Sequence, residues 1–298
     1  MSTKPTPNAP TPPTTGWGRL RVVLEMIKIE HTLFALPFAL MGALLAARGI
    51  PTGYQLFWIL MAMVGARSSA MAFNRLVDRA FDAANPRTKN RALPAGLVSG
   101  RFVIGFTVCS ALLLVAASYA LNPLAFVLSP VALGVVFFYS LTKRFTAWSH
   151  AFLGLALAIA PIGSWIAVSG SFAITPVLLG AAVVCWLIGF DIIYALQDVD
   201  FDRATGLHSL PARYGPQTAL KIARVSHACM IGFLLLTGAG ANLHGIYYAG
   251  VAIAACLIAG EHALIRPDDL RRLNVAFFNL NVGVSSGLLL ATAIDLLR

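Results

Sequence analysis

Two short windows of this chain carry side chains able to bind metal ions and polyanions. The first is Asn74-Arg75-Leu76-Val77-Asp78-Arg79-Ala80-Phe81-Asp82, the second Tyr194-Ala195-Leu196-Gln197-Asp198-Val199-Asp200-Phe201-Asp202. Together they hold five carboxylates, in a chain of 298 residues with only 12 acidic ones. Residues four apart on a helix share a face, ~6 Å apart along the axis. Asp78 and Asp82 therefore point together, with Asn74 one turn deeper, and Asp198 and Asp202 do the same. Asp200 falls nearly opposite and is the weaker candidate. Oxygen donors without His or Cys select Mg2+, Mn2+ or Ca2+ rather than zinc. Two such groups facing each other across a bundle could hold two Mg2+ ions, which keep some waters and accept phosphate oxygens. The plainer alternative is a pair of solvated helix ends neutralised by Arg75, Arg79 and Arg203. The same spacing at two apolar helix ends on one side of the chain's topology argues against it.

Basic groups fall on that same side. Arg87, Lys89 and Arg91 follow the first window, and Lys143 closes another apolar stretch with Tyr139 one turn earlier on its face. Metal ions with cationic side chains make a clamp for a diphosphate. Taken alone, Lys143 and Arg144 would be topogenic charge and Tyr139 an interfacial aromatic. Arg67 and Asp191 each lie seven residues before Asn74 and Asp198, hence ~10 Å deeper. Ionisable groups at such depth are costly, and are functional or paired. Two readings stay open: a buried Arg67–Asp191 ion pair, or contacts to an acidic group of a substrate. Glu30 and His31 are similar but shallower.

The elements that must position these groups are membrane helices. The chain is 58% hydrophobic and 11% charged, with mean hydropathy +0.78, against about 25% charged in soluble domains. Nine apolar stretches, each near the ~20 residues that span a bilayer, run over 22–47, 54–76, 102–120, 124–142, 148–168, 174–197, 218–239, 244–262 and 273–297. The expected fold is all-α, a nine-helix membrane domain over 17–298 preceded by a Pro/Thr-rich flexible tail over 1–16. The tail lacks a basic segment followed by an apolar run, so no cleavable signal peptide is expected. Trp17, Arg19 and Arg21 suit the headgroup zone.

With the amino terminus in the cytosol, one side receives Lys4, Arg19 and Arg21; Arg79, Arg87, Lys89, Arg91 and Arg101; Lys143 and Arg144; Arg203 and Arg213; and Arg266, Arg271 and Arg272. The other side receives only Arg48 and Arg298. This asymmetry follows the positive-inside rule and places both acidic windows at the cytosolic ends of the second and sixth spans. The net charge of +10 thus reports topology and excludes nucleic acid as the implied partner. Cys109, Cys185, Cys229 and Cys256 stand singly in apolar stretches without metal-ligand spacing and are packing residues. The longest connectors, 83–101 and 203–217, follow the two acidic windows. With the repeated seven- and four-residue steps, they suggest two related helical modules.

The segments NRLVDRAFDAANPRTKNRALPAG (74–96), YSLTK (139–143) and YALQDVDFDRATGLHSLPARYG (194–215) resemble the UbiA superfamily of intramembrane aromatic prenyltransferases, and within it the 4-hydroxybenzoate polyprenyltransferase branch linked to quinone synthesis. The resemblance covers nearly the whole chain after the tail. It implies nine helices in a horseshoe around a cavity open sideways to lipid. It also implies one Mg2+ on Asn74, Asp78 and Asp82 and another on Asp198 and Asp202. Lys143, Arg87 and Arg91 would contact the diphosphate, Tyr139 would lie near the allylic carbon, and Arg67 would receive the carboxylate of an aromatic acid, with Asp191 also on the substrate. The implied activity is Mg2+-dependent transfer of a polyprenyl group from its diphosphate to an aromatic acid, as a step toward ubiquinone or menaquinone, at the cytosolic face of the membrane. One departure is Arg75, where many relatives carry Asp. Helix geometry is expected to turn it away from Asp78 and leave the metal site intact. Competing readings are the same chemistry on another acceptor (a dihydroxynaphthoate, haem, chlorophyllide or a lipid), and a divalent-cation or anion transporter. Transporters place their sites near the midplane, whereas these clusters lie at one edge. A lipid phosphotransferase would need an Ala-Arg followed by a Gly-xxx-Asp-xxx-Asp arrangement that neither window carries.

Overall fold

A computed structural model describes residues 32–265 and 275–298, together with 17, 18, 22 and 273. The tail over 1–16, Arg19, Arg21, Glu30, His31, Arg266, Arg271 and Arg272 lie outside the described residues. Among the described residues there are helices and no strands: α1 (Thr32–Ala47), α2 (Gly53–Val77), α3 (Arg79–Ala84), α4 (Gly100–Leu121), α5 (Pro123–Thr142), α6 (Ser149–Ser169), α7 (Ile174–Ala195), α8 (Val199–Thr205), α9 (Leu210–Tyr214), α10 (Pro216–Ala241), α11 (Gly245–Leu264) and α12 (Asn281–Leu297). Eight helical segments are long and apolar enough to cross a membrane, and α1 is a shorter apolar helix. The nine expected spans thus correspond to eight candidates plus the described part of the first.

Capping residues set the span boundaries. Thr52 and Gln55 form a reciprocal box at the start of α2. Ser99 accepts from Phe102 N at the start of α4, and Asn122 Oδ1 accepts from Ala125 N at the start of α5. The Asn122 amide also donates to the carbonyls of Ile166 and Ala167, at 2.8 and 3.1 Å, tying this corner to the end of α6.

Neighbours in sequence are neighbours in space. α4 packs on α5, α5 on α6, α6 on α7, α7 on α10, α10 on α11 and α11 on α12, while α12 returns to α1 and α1 lies against α6. Small residues permit the closest approaches, as is usual where lipid supplies no hydrophobic drive between helices. At the α2–α4 contact a Cβ on Gly65 would stand 2.7 Å from the Ser110 carbonyl oxygen and 2.6 Å from Leu114 N. The largest core cluster joins α1, α7, α10, α11 and α12 around the fully buried Trp186, with Phe34, Phe38, Phe190 and Tyr247. Trp186 Nε1 donates to Asn281 Oδ1 at 2.6 Å, and Asn281 Nδ2 donates to the buried Glu261 at 3.1 Å. At the end of the bundle away from the acidic windows, Asp295 accepts the backbone N–H groups of His244, Ile246 and Tyr247, capping α11 from the end of α12.

Candidate active site

The acidic windows share a backbone device. α2 ends at Val77, Asp78 takes φ −91°, ψ 4°, and α3 restarts at Arg79. α7 ends at Ala195, a 3-10 turn covers Leu196–Asp198, Asp198 takes φ −107°, ψ 4°, and α8 starts at Val199. Both aspartates sit in the sparsely populated bridge region between helix and strand. The four-residue register survives the break in the first window: Asp78 N donates to Asn74 O at 2.9 Å and Asp82 N to Asp78 O at 2.8 Å.

Asp78 and Asp82 are both buried. Asp78 Oδ2 accepts from Asn74 Nδ2 at 3.1 Å and from Lys143 Nζ at 2.6 Å. Arg144 Nη2 donates to the Val77 carbonyl at 2.6 Å, closing the end of α2, and to Asp78 Oδ1 at 3.4 Å. Asp82 Oδ1 accepts from Arg91 Nη1 at 2.7 Å. The segment that delivers these arginines is built locally. Asn85 Oδ1 accepts from Arg87 N in an Asx turn around Pro86, and Thr88 Oγ1 donates to the Asp82 carbonyl at 2.9 Å.

That turn aims Arg87 at the other window. Its Nε donates to Asp198 Oδ1 at 3.1 Å and its Nη2 to Asp198 Oδ2 at 2.6 Å, a bidentate fork, while its guanidinium lies 5.7 Å from the Tyr194 ring. Burial acts to lower the pKa of Arg87, but the hydrogen bond and charge of Asp198 outweigh it and hold it above its ordinary value. Lys143 makes the second link. Its ammonium binds Asp78, while its carbonyl accepts from His208 N at 2.8 Å, just past the second window. Ser209 Oγ donates to Asp202 Oδ2 at 2.7 Å. The ends of α2, α5 and α7 and both connectors therefore meet in one place.

Of the expected site residues, Asn74, Asp78, Asp82, Arg87, Arg91, Lys143, Asp198 and Asp202 enter this network. Asp200 is exposed, as its position opposite Asp198 required, and so is Lys89. Arg67 and Asp191 do not pair. Asp191 Oδ2 is 2.7 Å from His150 Nδ1, and His150 Nε2 accepts from Leu210 N at 3.4 Å. Arg67 instead lies within electrostatic reach of Tyr139, its buried Nε without a hydrogen-bond partner among the described residues.

Arg75 does not turn away. It is 7% exposed, and its Nη1 stands 3.5 Å from Asn74 Oδ1 and 3.8 Å from Asp82 Oδ2. The spacing explains it: three and seven residues before Asp78 and Asp82, Arg75 shares their helix face. Beyond Arg75, the sequence reading gave no site role to His150, Ser209, Thr88 or Arg144. The seven-residue step from Arg75 to Asp82 was a usable signal, while His150 gave none, because its partners come from distant elements.

Among the described residues no three Asp, Glu, His or Cys side chains gather into a ready metal cage. The donors present fit a hard cation that completes its shell with water and phosphate. Each window brings two carboxylates to the site, with exposed Asp200 set aside, and no nitrogen or sulfur ligand, and Asp82 Oδ2 is buried with no hydrogen-bond partner among the described residues.

The sequence matches the model of the UbiA prenyltransferase family over residues 35–283. The chain belongs to that family. A relative, the 4-hydroxybenzoate octaprenyltransferase of Cupriavidus metallidurans, is 30% identical over 267 residues, covering 89% of this chain and 90% of that protein. The mitochondrial 4-hydroxybenzoate polyprenyltransferase of Arabidopsis thaliana is 39% identical over 190 residues; the match covers 63% of this chain and 46% of the plant protein. The apo structure of a UbiA homolog from Aeropyrum pernix K1 superposes with a TM-score of 0.82 at 34% identity, covering 91% of this chain and 99% of that one. A UbiA homolog from Archaeoglobus fulgidus, solved bound to DMAPP and Mg2+, shares the fold with a TM-score of 0.68 at 18% identity, covering 91% of this chain and 99% of that one.

Proposed function

We propose that this UbiA-family chain is a divalent-metal-dependent prenyltransferase. It moves a polyprenyl group from its diphosphate to a small aromatic acid, 4-hydroxybenzoate first among candidates, and so makes a membrane quinone precursor. The observation that carries the reading is the Arg87–Asp198 fork, which joins the connector after the first window to the carboxylate of the second. The activity named for the Cupriavidus and Arabidopsis relatives supports the choice of acceptor.

Asn74, Asp78 and Asp82 would hold one Mg2+ and Asp198 with Asp202 a second. When bound, the ions neutralise charge on the departing diphosphate. Arg87, Arg91 and Lys143, gathered at the site by their carboxylate partners, turn to the diphosphate oxygens and stabilise the departing anion. The allylic C–O bond breaks, a C–C bond forms ortho to the phenol hydroxyl, and the displaced ring proton leaves to restore aromaticity. Tyr139 lines the site near the allylic carbon. Arg67, whose Nε has no hydrogen-bond partner among the described residues, receives the acceptor carboxylate. Asp191, oriented by His150, lies on the acceptor side. Lipid-facing helices keep water from the cation. The charge asymmetry supports a cytosolic amino terminus and a cytosolic site.

The test is product formation by purified protein in lipid nanodiscs supplied with polyprenyl diphosphate and 4-hydroxybenzoate. Prenylated acid should form with Mg2+ and vanish with chelator. No prenylated product across a panel of aromatic acids at saturating Mg2+ would overturn the proposal.

A further inference from the structure

The two acidic windows differ in the positive charge set against them. At the first, Lys143 and Arg144 approach Asp78 at 2.6 and 3.4 Å, and Arg91 and Arg75 approach Asp82 at 2.7 and 3.8 Å. Among the described residues, four cations face two carboxylates. At the second, among the described residues, Arg87 forks onto Asp198, and Asp202 accepts from the neutral hydroxyl of Ser209, with Lys143 acting on it from further off. Within ion-pair distance, one described cation faces these two carboxylates.

The cations of the first window also differ in freedom. The side chains of Lys143, Arg144 and Arg91 are 31%, 35% and 26% exposed, so they can swing to a ligand. The Arg75 side chain is 8% exposed, as is that of Asp82 beside it. Arg75 Nε and Asp82 Oδ2 are both buried without hydrogen-bond partners among the described residues. Its charge is therefore a fixed part of the first site. A like charge that close opposes a divalent cation strongly in a partly buried environment. A diphosphate adds negative charge and reverses the balance.

We infer that Arg75 sets a low intrinsic metal affinity at Asn74/Asp78/Asp82, so that Asp198/Asp202 takes a divalent ion first and the first window fills only together with the diphosphate. This rests on the reading that both windows hold metal, and it orders them. Arg75 is a positioning residue here, acting through Asp82 and Asn74 on the metal.

The test is Mn2+ binding followed by electron paramagnetic resonance on the purified full chain, with and without inorganic pyrophosphate, whose own chelation is subtracted in a protein-free blank. Without pyrophosphate, wild-type protein should bind one ion, lost in Asp198→Asn and kept in Asp82→Asn; with pyrophosphate a second ion should appear. Arg75→Gln should tighten the second ion about tenfold or more in the absence of pyrophosphate, and Arg75→Lys should restore the wild-type pattern. Loss of the first ion in Asp82→Asn, or two ions bound equally by wild-type protein without pyrophosphate, overturns the inference even if Arg75→Gln misfolds. So does a folded Arg75→Gln with unchanged binding. No Mn2+ bound by any variant under either condition removes the metal-dependent reading itself, a separate outcome.

Discussion

Replacing Arg87 by Gln separates a structural ion pair from a catalytic cation. In the structure Arg87 contacts Asp198 twice, at 2.6 and 3.1 Å, and the side chain is 35% exposed. An ion pair that open is screened by solvent, and pairs of this kind contribute about 0–1 kcal/mol. For a chain of this size such a loss shifts Tm by no more than about 4 °C. A cation preorganised toward a departing anion is a different quantity: removing one such donor costs about 2.7–4 kcal/mol of transition-state stabilisation, or 10²–10³ in kcat. The two roles therefore predict effects on different observables. Prenyl transfer by Arg87→Gln in nanodiscs should fall by about two to three orders of magnitude, with Tm nearly unchanged. Asp198→Asn should show the mirror behaviour in metal dependence, its rate recovering in part at raised Mg2+, whereas Arg87→Gln should not be rescued by metal. A rate loss below about fivefold in Arg87→Gln, or a rate loss that tracks a large drop in Tm, would refute the reasoning.

Three further outcomes follow from particular contacts. His150 is buried between Asp191 and the backbone of Leu210; His150→Ala should destabilise by about 1–3 kcal/mol and raise the KM for the aromatic acid, while His150→Asn, which keeps one donor for Asp191, recovers part of both, read by thermal unfolding and steady-state kinetics. A Cβ on Gly189 would overlap the His227 ring where α7 meets α10, so Gly189→Ala should cost about 1–3 kcal/mol or more through overpacking, measured as a fall in Tm without any change in metal affinity. Asp295→Ala removes three acceptor contacts from the start of α11; it should lower stability by about 1–3 kcal/mol and leave the rate of the folded fraction intact, since it lies at the far end of the bundle.

What the sequence made legible was what depends on short spacing. The apolar stretches marked the helices, and steps of four paired Asp78 with Asp82 and Asp198 with Asp202 while setting Asp200 aside. The Asx turn at Asn85 and the caps at Ser99 and Asn122 are local as well, but only the structure identified them. Partner choice across the bundle was not legible. Arg67 and Asp191 share a depth and opposite charges, yet His150 satisfies Asp191 from the start of α6, because depth along the helix fixes height and says nothing of azimuth. Arg75 was misjudged for a simpler reason: a three-residue step is a neighbouring position on a helix, and a long guanidinium side chain reaches further still.

The breaks at Asp78 and Asp198 argue most directly for two related modules. Each break is contacted by cations, Lys143 and Arg144 on Asp78 and the Arg87 fork on Asp198. A continuous helix would stack the carboxylates of each window along one straight line. The helix restarts at Arg79 and at Val199, at the same point of each window. The resemblance thus extends from side-chain spacing to backbone geometry, whereas the charge around the windows has diverged. A shared scaffold with unequal charge is what an ordered pair of ion sites requires: one able to hold its cation alone, the other completed by the anion it helps to expel.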